Sequence, residues 1–337
     1  MSNKIIAVTA LGFPWKTIDP FLFCAYHKDD YPAGNDHFGP VAPLDGHHIG
    51  QDFDPSLPWR MYHGSTVPGF PQHPHRGFET VTIAKTGLVD HSDSLGAAGR
   101  FGDGDVQWMT AGRGVLHAEM FPLLRQDREN PLELFQIWLN LPKKNKMVEP
   151  HFKMLWRDSI PTIVHNDAND LKTTIDLIAG NIEDQNAPKP TPNSWAADAA
   201  NHVAIWTIEM DPKAQWILPA SHESAKRALY FYKGANLEID GIEVKANNRI
   251  EILSNQELKI QNGHTRSYLL MLQGRSINEP VAQHGPFVMN TQAEIQDAFA
   301  EFRRTQFGGW PWPKNDQVHD RAKGRFAVHA DGMLEEK

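Results

Sequence analysis

The sequence predicts an all-β chain built as two tandem barrels with a short C-terminal helix. Three observations carry that reading. Apolar residues recur at period two in short runs, each closed by Gly, Asp, Asn or Pro, which is the pattern of antiparallel strands in a sandwich or barrel. These runs fall into two sets, before about residue 146 and after about residue 200. One segment near the C-terminus has the apolar spacing and the cap of a helix.

In the first set, residues 78–85 (FETVTIAK) alternate and stop at Thr86-Gly87. Residues 88–93 form a second strand, 105–110 a third, 115–120 a fourth and 134–141 a longer fifth. Gly77, Gly87, Gly104, Gly112 and Gly114 stand between them, where tight turns need φ > 0. The first barrel's strands end near Lys143-Lys144-Asn145-Lys146. A polar, Pro-rich loop over residues 184–193 leads to the second set. Its strands are read at 203–209, 227–232, 235–239, 249–253 and 267–272, with Asp240-Gly241 as a two-residue hairpin turn. Thr291 and Glu294 form a capping box, followed by Ile295, Ala298, Phe299 and Phe302 on one helical face. Residues 310–337 read as polar and irregular.

Composition excludes several classes. With 33 Lys+Arg against 41 Asp+Glu the net charge is −8, which argues against a general nucleic-acid binder held by phosphate neutralisation. The single cysteine, Cys24, excludes a disulfide framework and any Cys-rich zinc or iron–sulfur site. Apolar runs such as 268–272 fall far short of the ~18 residues a membrane span needs. The N-terminus has no long apolar region with a cleavage site, so a cytoplasmic protein is expected.

Chemistry concentrates in the first set of strands. His73-Pro74-His75 places two imidazoles two residues apart, on the same side of an extended segment. His117-Ala118-Glu119 does the same with an imidazole and a carboxylate. Either pair alone would read as coincidence. Two such pairs within one small β domain can face each other, and three nitrogens with one oxygen suit a first-row metal such as iron. The second set has no such pair: His222-Glu223 are neighbours and point to opposite faces, and His264 stands alone. No metal is expected there, only a structural or partner-binding role.

The runs His73-Pro-His-Arg-Gly-Phe-Glu-Thr80 and Gly104 to Met120 (GDVQWMTAGRGVLHAEM) closely resemble the pirin family. Asp19-Pro-Phe-Leu-Phe23, Leu139-Asn-Leu-Pro142, Lys146-Met-Val-Glu-Pro150 and Gly285-Pro-Phe-Val-Met-Asn-Thr291 extend the resemblance. Pirins are bicupins with a single iron in the N-terminal barrel. The resemblance therefore implies one mononuclear divalent metal, Fe(II) first and other first-row ions next, held by His73, His75, His117 and Glu119. The general cupin pattern takes its carboxylate from the first motif, where Glu79 stands. The pirin pattern takes Glu119, which leaves Glu79 to orient a ligand histidine. Residues 1–150 are expected to form the metal-binding barrel, and 151–337 the second barrel, helix and tail. Compared with pirins, an inserted loop runs over about residues 25–66. It carries His27, His37, His47, His48 and His63, and is expected as a long surface loop: a lid over the mouth of the metal barrel, a subunit contact, or a solvated loop with no further role.

Two functions follow from the resemblance. Some pirin-like proteins are similar to quercetin 2,3-dioxygenases, which implies a flavonol or similar aromatic substrate with O2. The catalytic residues would then be Glu119 or Glu79, accepting the 3-hydroxyl proton, and carbon monoxide would leave. Other pirins resemble iron-dependent redox-sensing regulators that bind a transcription factor or a metabolic enzyme. The same four ligands serve both.

Overall fold

The computed structural model describes residues 4–337. Among these the regular secondary structure is strand, except for one α-helix and five 3-10 turns. The strand runs read from sequence are present within a residue or two at most ends, Leu88–Asp93 and Val115–Met120 with the expected bounds. Asp240 and Gly241 take the positive φ that their two-residue turn needs, and Ile239 pairs with Ile242 across it. The helix Gln292–Thr305 begins with the capping box of Thr291 and Glu294 and buries Ile295 and Ala298.

The chain does not divide into consecutive halves at residue 150. One unit joins the residues up to Cys24 to Asp158–Asn278, and the other joins Ala25–Arg157 to Glu279–Lys337. Strand pairing accounts for the exchange. Ile5–Ala10, which local pattern does not mark as a strand, pairs antiparallel with Asn248–Ile252 at the edge of a seven-stranded sheet. Trp15 then stacks on Tyr230 with ring centroids 5.6 Å apart. The tail is ordered too. Phe326–Val328 pairs with Ala98–Gly102, extending one sheet of the other unit. A local reading misses both, because each strand joins its sheet through a partner more than 200 residues away.

In the unit formed by Ala25–Arg157 and Glu279–Lys337, one sheet has the order Leu334–Glu336, Phe326–Val328, Ala98–Gly102, Leu88–Asp93, Val115–Met120, Gly69–His75. The second has the order His151–Leu155, Val106–Thr110, Phe78–Thr86, Asn130–Asn140, Phe21–Tyr31. A core cluster around Met109, Phe121, Leu134 and Phe152 lies in this unit. The unit holding Asp158–Asn278 has its own core, including Leu177, Trp206, Phe231, Ile250 and Met271.

The segment expected as a plain surface loop over 25–66 is more structured than that. Its first residues continue the strand Phe21–Tyr31. Tyr31, Trp59, Met61 and Tyr62 are buried in the core. Buried Asp29 accepts from Arg60 Nε at 2.8 Å and from Tyr62 Oη at 2.7 Å. His27 and His47 bond to Tyr62 and Asp52 at 2.8 and 2.6 Å. The stretch looks polar in sequence because its apolar anchors are widely spaced, but those anchors are what fix it.

One buried side chain gathers several of the tail's attachments. Buried Arg100 meets Asp90 in a two-pronged pair at 2.7 and 2.8 Å, and donates to the carbonyls of His319, Asp320 and Lys323. Replacing Arg100 with Met should leave Asp90 buried without its partner and cost about 3–5 kcal/mol. Chemical denaturation should register that loss, and limited proteolysis should cut earliest within residues 310–337.

Candidate metal centre

The strands Gly69–His75 and Val115–Met120 pair antiparallel, with His73 opposite His117 and Phe70 opposite Glu119. A register irregularity between Phe70 and His73 adjusts the strand just before the first histidine. His73 and His75 lie two residues apart, so both rings point to the same side, where His117 also projects. One ligand atom from each of His73, His75 and His117 lies within 4.8 Å of the others. His73 Nε2 and His75 Nε2 are 3.1 Å apart. At metal–imidazole bonds of about 2.0–2.1 Å, neighbouring nitrogens on one ion stand ~3 Å apart, so this spacing fits a metal.

Burial supports the same reading. His75 and His117 are 3 % and 0 % exposed, whereas His73 is only half-buried. Both ring nitrogens of His117 are buried and make no hydrogen bond, a costly state for polar atoms unless something else engages them. Burial lowers the pKa of all three rings, and the neighbouring rings push His75 and His117 down further. His73 falls to about 4. Neutral imidazoles are the form that ligates.

Glu119 reaches the same region. Its Oε2 lies 3.8 Å from His117 Nε2. Its Oε1 accepts from Thr82 Oγ1 at 3.2 Å and its Oε2 from Gln136 Nε2 at 2.6 Å. Burial raises its pKa, while His91, Gln136 and Thr82 pull the other way.

Glu79 does not join them, contrary to the role expected for it beside the ligands. The chain leaves the first ligand strand at Gly77, with φ +84°, and begins a strand of the other sheet at Phe78. Counting parity from His75 to Glu79 therefore fails at that corner. Phe78 packs on His75 and Thr82 bonds to Glu119. Period-two alternation then turns Glu79 to the opposite face, where it accepts from Thr110 Oγ1 at 2.7 Å.

Sequence reasoning missed three neighbours. His91 is fully buried and stands opposite Glu119 in the adjacent strand, 3.3 Å from Asp93 Oδ2. Thr82 and Gln136 hold the Glu119 carboxylate. None belongs to a local motif. Only strand register brings them in, so no sequence signal short of the pairing itself would have found them.

A two-barrel cupin with three converging imidazoles in one barrel is the class of protein that this fold and site define. The Pirin family profile matches residues 10–139, and that of the pirin C-terminal cupin domain matches 205–308; the chain belongs to the pirin family. It is 34 % identical to pirin of Rattus norvegicus over 273 residues, covering 76 % of this chain and 83 % of that one. It is 33 % identical to pirin of Homo sapiens over 276 residues, covering 77 % and 84 %. The crystal structure of a quercetin 2,3-dioxygenase from Acinetobacter baumannii superposes with a TM-score of 0.70 at 26 % identity, over 91 % of this chain and 98 % of that one. No described helix is long and apolar enough to cross a membrane.

The depressed imidazoles predict how the metal-free protein responds to acid. An unfolded chain protonates its histidines below about pH 6.5, while the buried rings stay neutral to lower pH. Stability contributed by these rings is present above about 6.5 and is lost as pH falls toward about 4. The raised Glu119 acts in the opposite sense. Urea denaturation of chelator-treated protein should therefore show stability falling between about pH 6.5 and 4.5. In His117→Gln the slope should flatten by about one proton, or about 1.4 kcal/mol per pH unit.

Proposed function

We propose that this protein is a metal-dependent dioxygenase of the quercetin 2,3-dioxygenase type, acting on a flavonol or similar aromatic substrate with O2. The observation that carries the proposal is the convergence of three imidazoles with lowered pKa, buried His75 and His117 and half-buried His73, on one side of a sheet that also presents Glu119. In this reading the three imidazoles and the Glu119 carboxylate hold one divalent first-row metal, Fe(II) foremost. When bound, such an ion supplies Lewis-acid and one-electron chemistry toward a chelating hydroxy-ketone and dioxygen.

The chain's own residues do the rest. His75 and His117 are enclosed, whereas His73 is half-buried, so substrate approaches on the His73 side. Phe78 and Trp138 stack with centroids 3.9 Å apart and both rings pack against His75, which fixes that ligand and keeps water from its far side. Glu119 Oε2 takes the proton of the flavonol 3-hydroxyl, because burial has raised its proton affinity. Gln136 and Thr82 hold the carboxylate in place while it does so. Ring opening then releases carbon monoxide and leaves an aryl ester of an aromatic acid.

Two measurements test this. Elemental analysis should find one metal per chain, with His75→Ala and His117→Ala each losing it. Two tightly held ions, or metal unchanged in both variants, would refute the assignment. Metal-loaded protein should consume O2 with quercetin and release carbon monoxide. Glu119→Gln should reduce kcat by about a hundredfold or more while metal stays bound through the imidazoles. If no metal form turns over any flavonol, and iron oxidation instead alters binding to a protein partner, the regulator reading replaces this one.

A further inference from the structure

The unit containing Asp158–Asn278 has a cleft of about 760 Å³, and among the described residues no metal-type donor cluster explains it. The volume lies within the range of small-molecule sites. Its walls are about equally polar and apolar, with Ile182, Pro188, Ala197, Val203 and Trp206 forming the apolar part. One charged side chain stands out among these walls. Arg227 is 2 % exposed and lines the cleft.

Arg227 is held but not neutralised. Its Nε donates to Gln273 Oε1 at 2.6 Å and its Nη1 to the Pro219 carbonyl at 2.7 Å. Both acceptors are uncharged. Gln273 is itself fixed, its Nε2 donating to the His202 carbonyl and to Ser221 Oγ at 2.9 and 3.0 Å. The guanidinium is thus positioned on one edge, and its Nη2 donates to no described residue. Burial without a counter-charge pulls its pKa down to about 10. The two carboxylates at the cleft are otherwise engaged: Asp198 caps Ala200 N at 3.0 Å, and Glu183 faces His165 at 4.0 Å. A buried arginine is normally met by a carboxylate or phosphate.

The geometry points to a binding site for a small amphipathic carboxylate in this second barrel. The carboxylate meets the free edge of Arg227, and the ligand's apolar body lies along Trp206 and the alanine and proline wall. A monoanion is favoured over a phosphate, because Arg227 is the one buried cation among the residues lining the cleft and the other lining cation, Lys189, is exposed. The site is separate from the imidazole cluster and stands whether or not the dioxygenase proposal does.

Isothermal titration of the full-length, metal-loaded protein with 1-naphthoate, benzoate and cinnamate tests it, with 1-naphthalenemethanol as the uncharged counterpart. At least one carboxylate should bind at one site per chain, and the alcohol should bind about tenfold more weakly or worse. Arg227→Met should weaken the carboxylate about tenfold or more. Ala220→Trp, an exposed position at the cleft, should block binding without touching the core. Metal content should be unchanged in both variants, which separates this site from the metal. Failure of all three carboxylates to bind, equal binding of the alcohol, or binding unchanged in both variants would overturn the proposal.

Discussion

Three imidazoles held neutral and close together, two of them away from water, are the constraint on which the rest of the metal-centre unit depends. Each would be protonated or hydrogen-bonded in water, and here His117 has neither option. Only a rigid frame keeps such a cluster in place without a metal, because mutual repulsion on protonation would spread it. That frame is the antiparallel pairing of Gly69–His75 with Val115–Met120, which puts His73 directly across from His117. A slip of one residue would turn every ligand to the other face.

The corner at Gly77 is the second point of rigidity. A Cβ there would lie 2.0 Å from the Val288 carbonyl oxygen, so only glycine lets the chain pass from one sheet to the other at that point. Lys146 secures the same corner, donating to the carbonyls of Gly77 and Val288 and to Asn140 Oδ1. Its burial lowers its pKa to about 8. Val288 belongs to the hairpin of Ala282–His284 and Phe287–Met289, which shares an apolar cluster with Ile295 and Ala298 of the helix. The C-terminal residues of the chain therefore brace the turn beside the ligands.

The two barrels share a strand rhythm and differ in what fills them. The unit carrying the imidazoles also buries Asp90, His91, Thr82 and Glu119. The other unit packs its inner faces with Ile175, Leu177, Trp206, Leu229, Phe231, Leu269 and Met271. Its buried cation, Arg227, sits to the side of this packing, at the cleft. An apolar interior stabilises that barrel by burial alone, whereas the metal-centre unit spends part of its interior on polar groups that need partners.

By itself the sequence determined the all-β class, most strand positions, the capped helix, the Asp240-Gly241 turn and the two histidine-bearing pairs. These are local: period, turn chemistry and i, i+2 spacing are properties of a few neighbouring residues. The tertiary structure decided what depends on distant pairing. It assigned Ile5–Ala10 to the second barrel and residues 279–337 to the first. It buried Trp59, Met61 and Tyr62 out of a stretch that reads as a loop. It also moved Glu79 away from the ligands and brought in His91, Thr82 and Gln136. In each case the deciding quantity is strand register or a corner such as Gly77, where the side-chain alternation restarts and sequence parity no longer says which way a residue points.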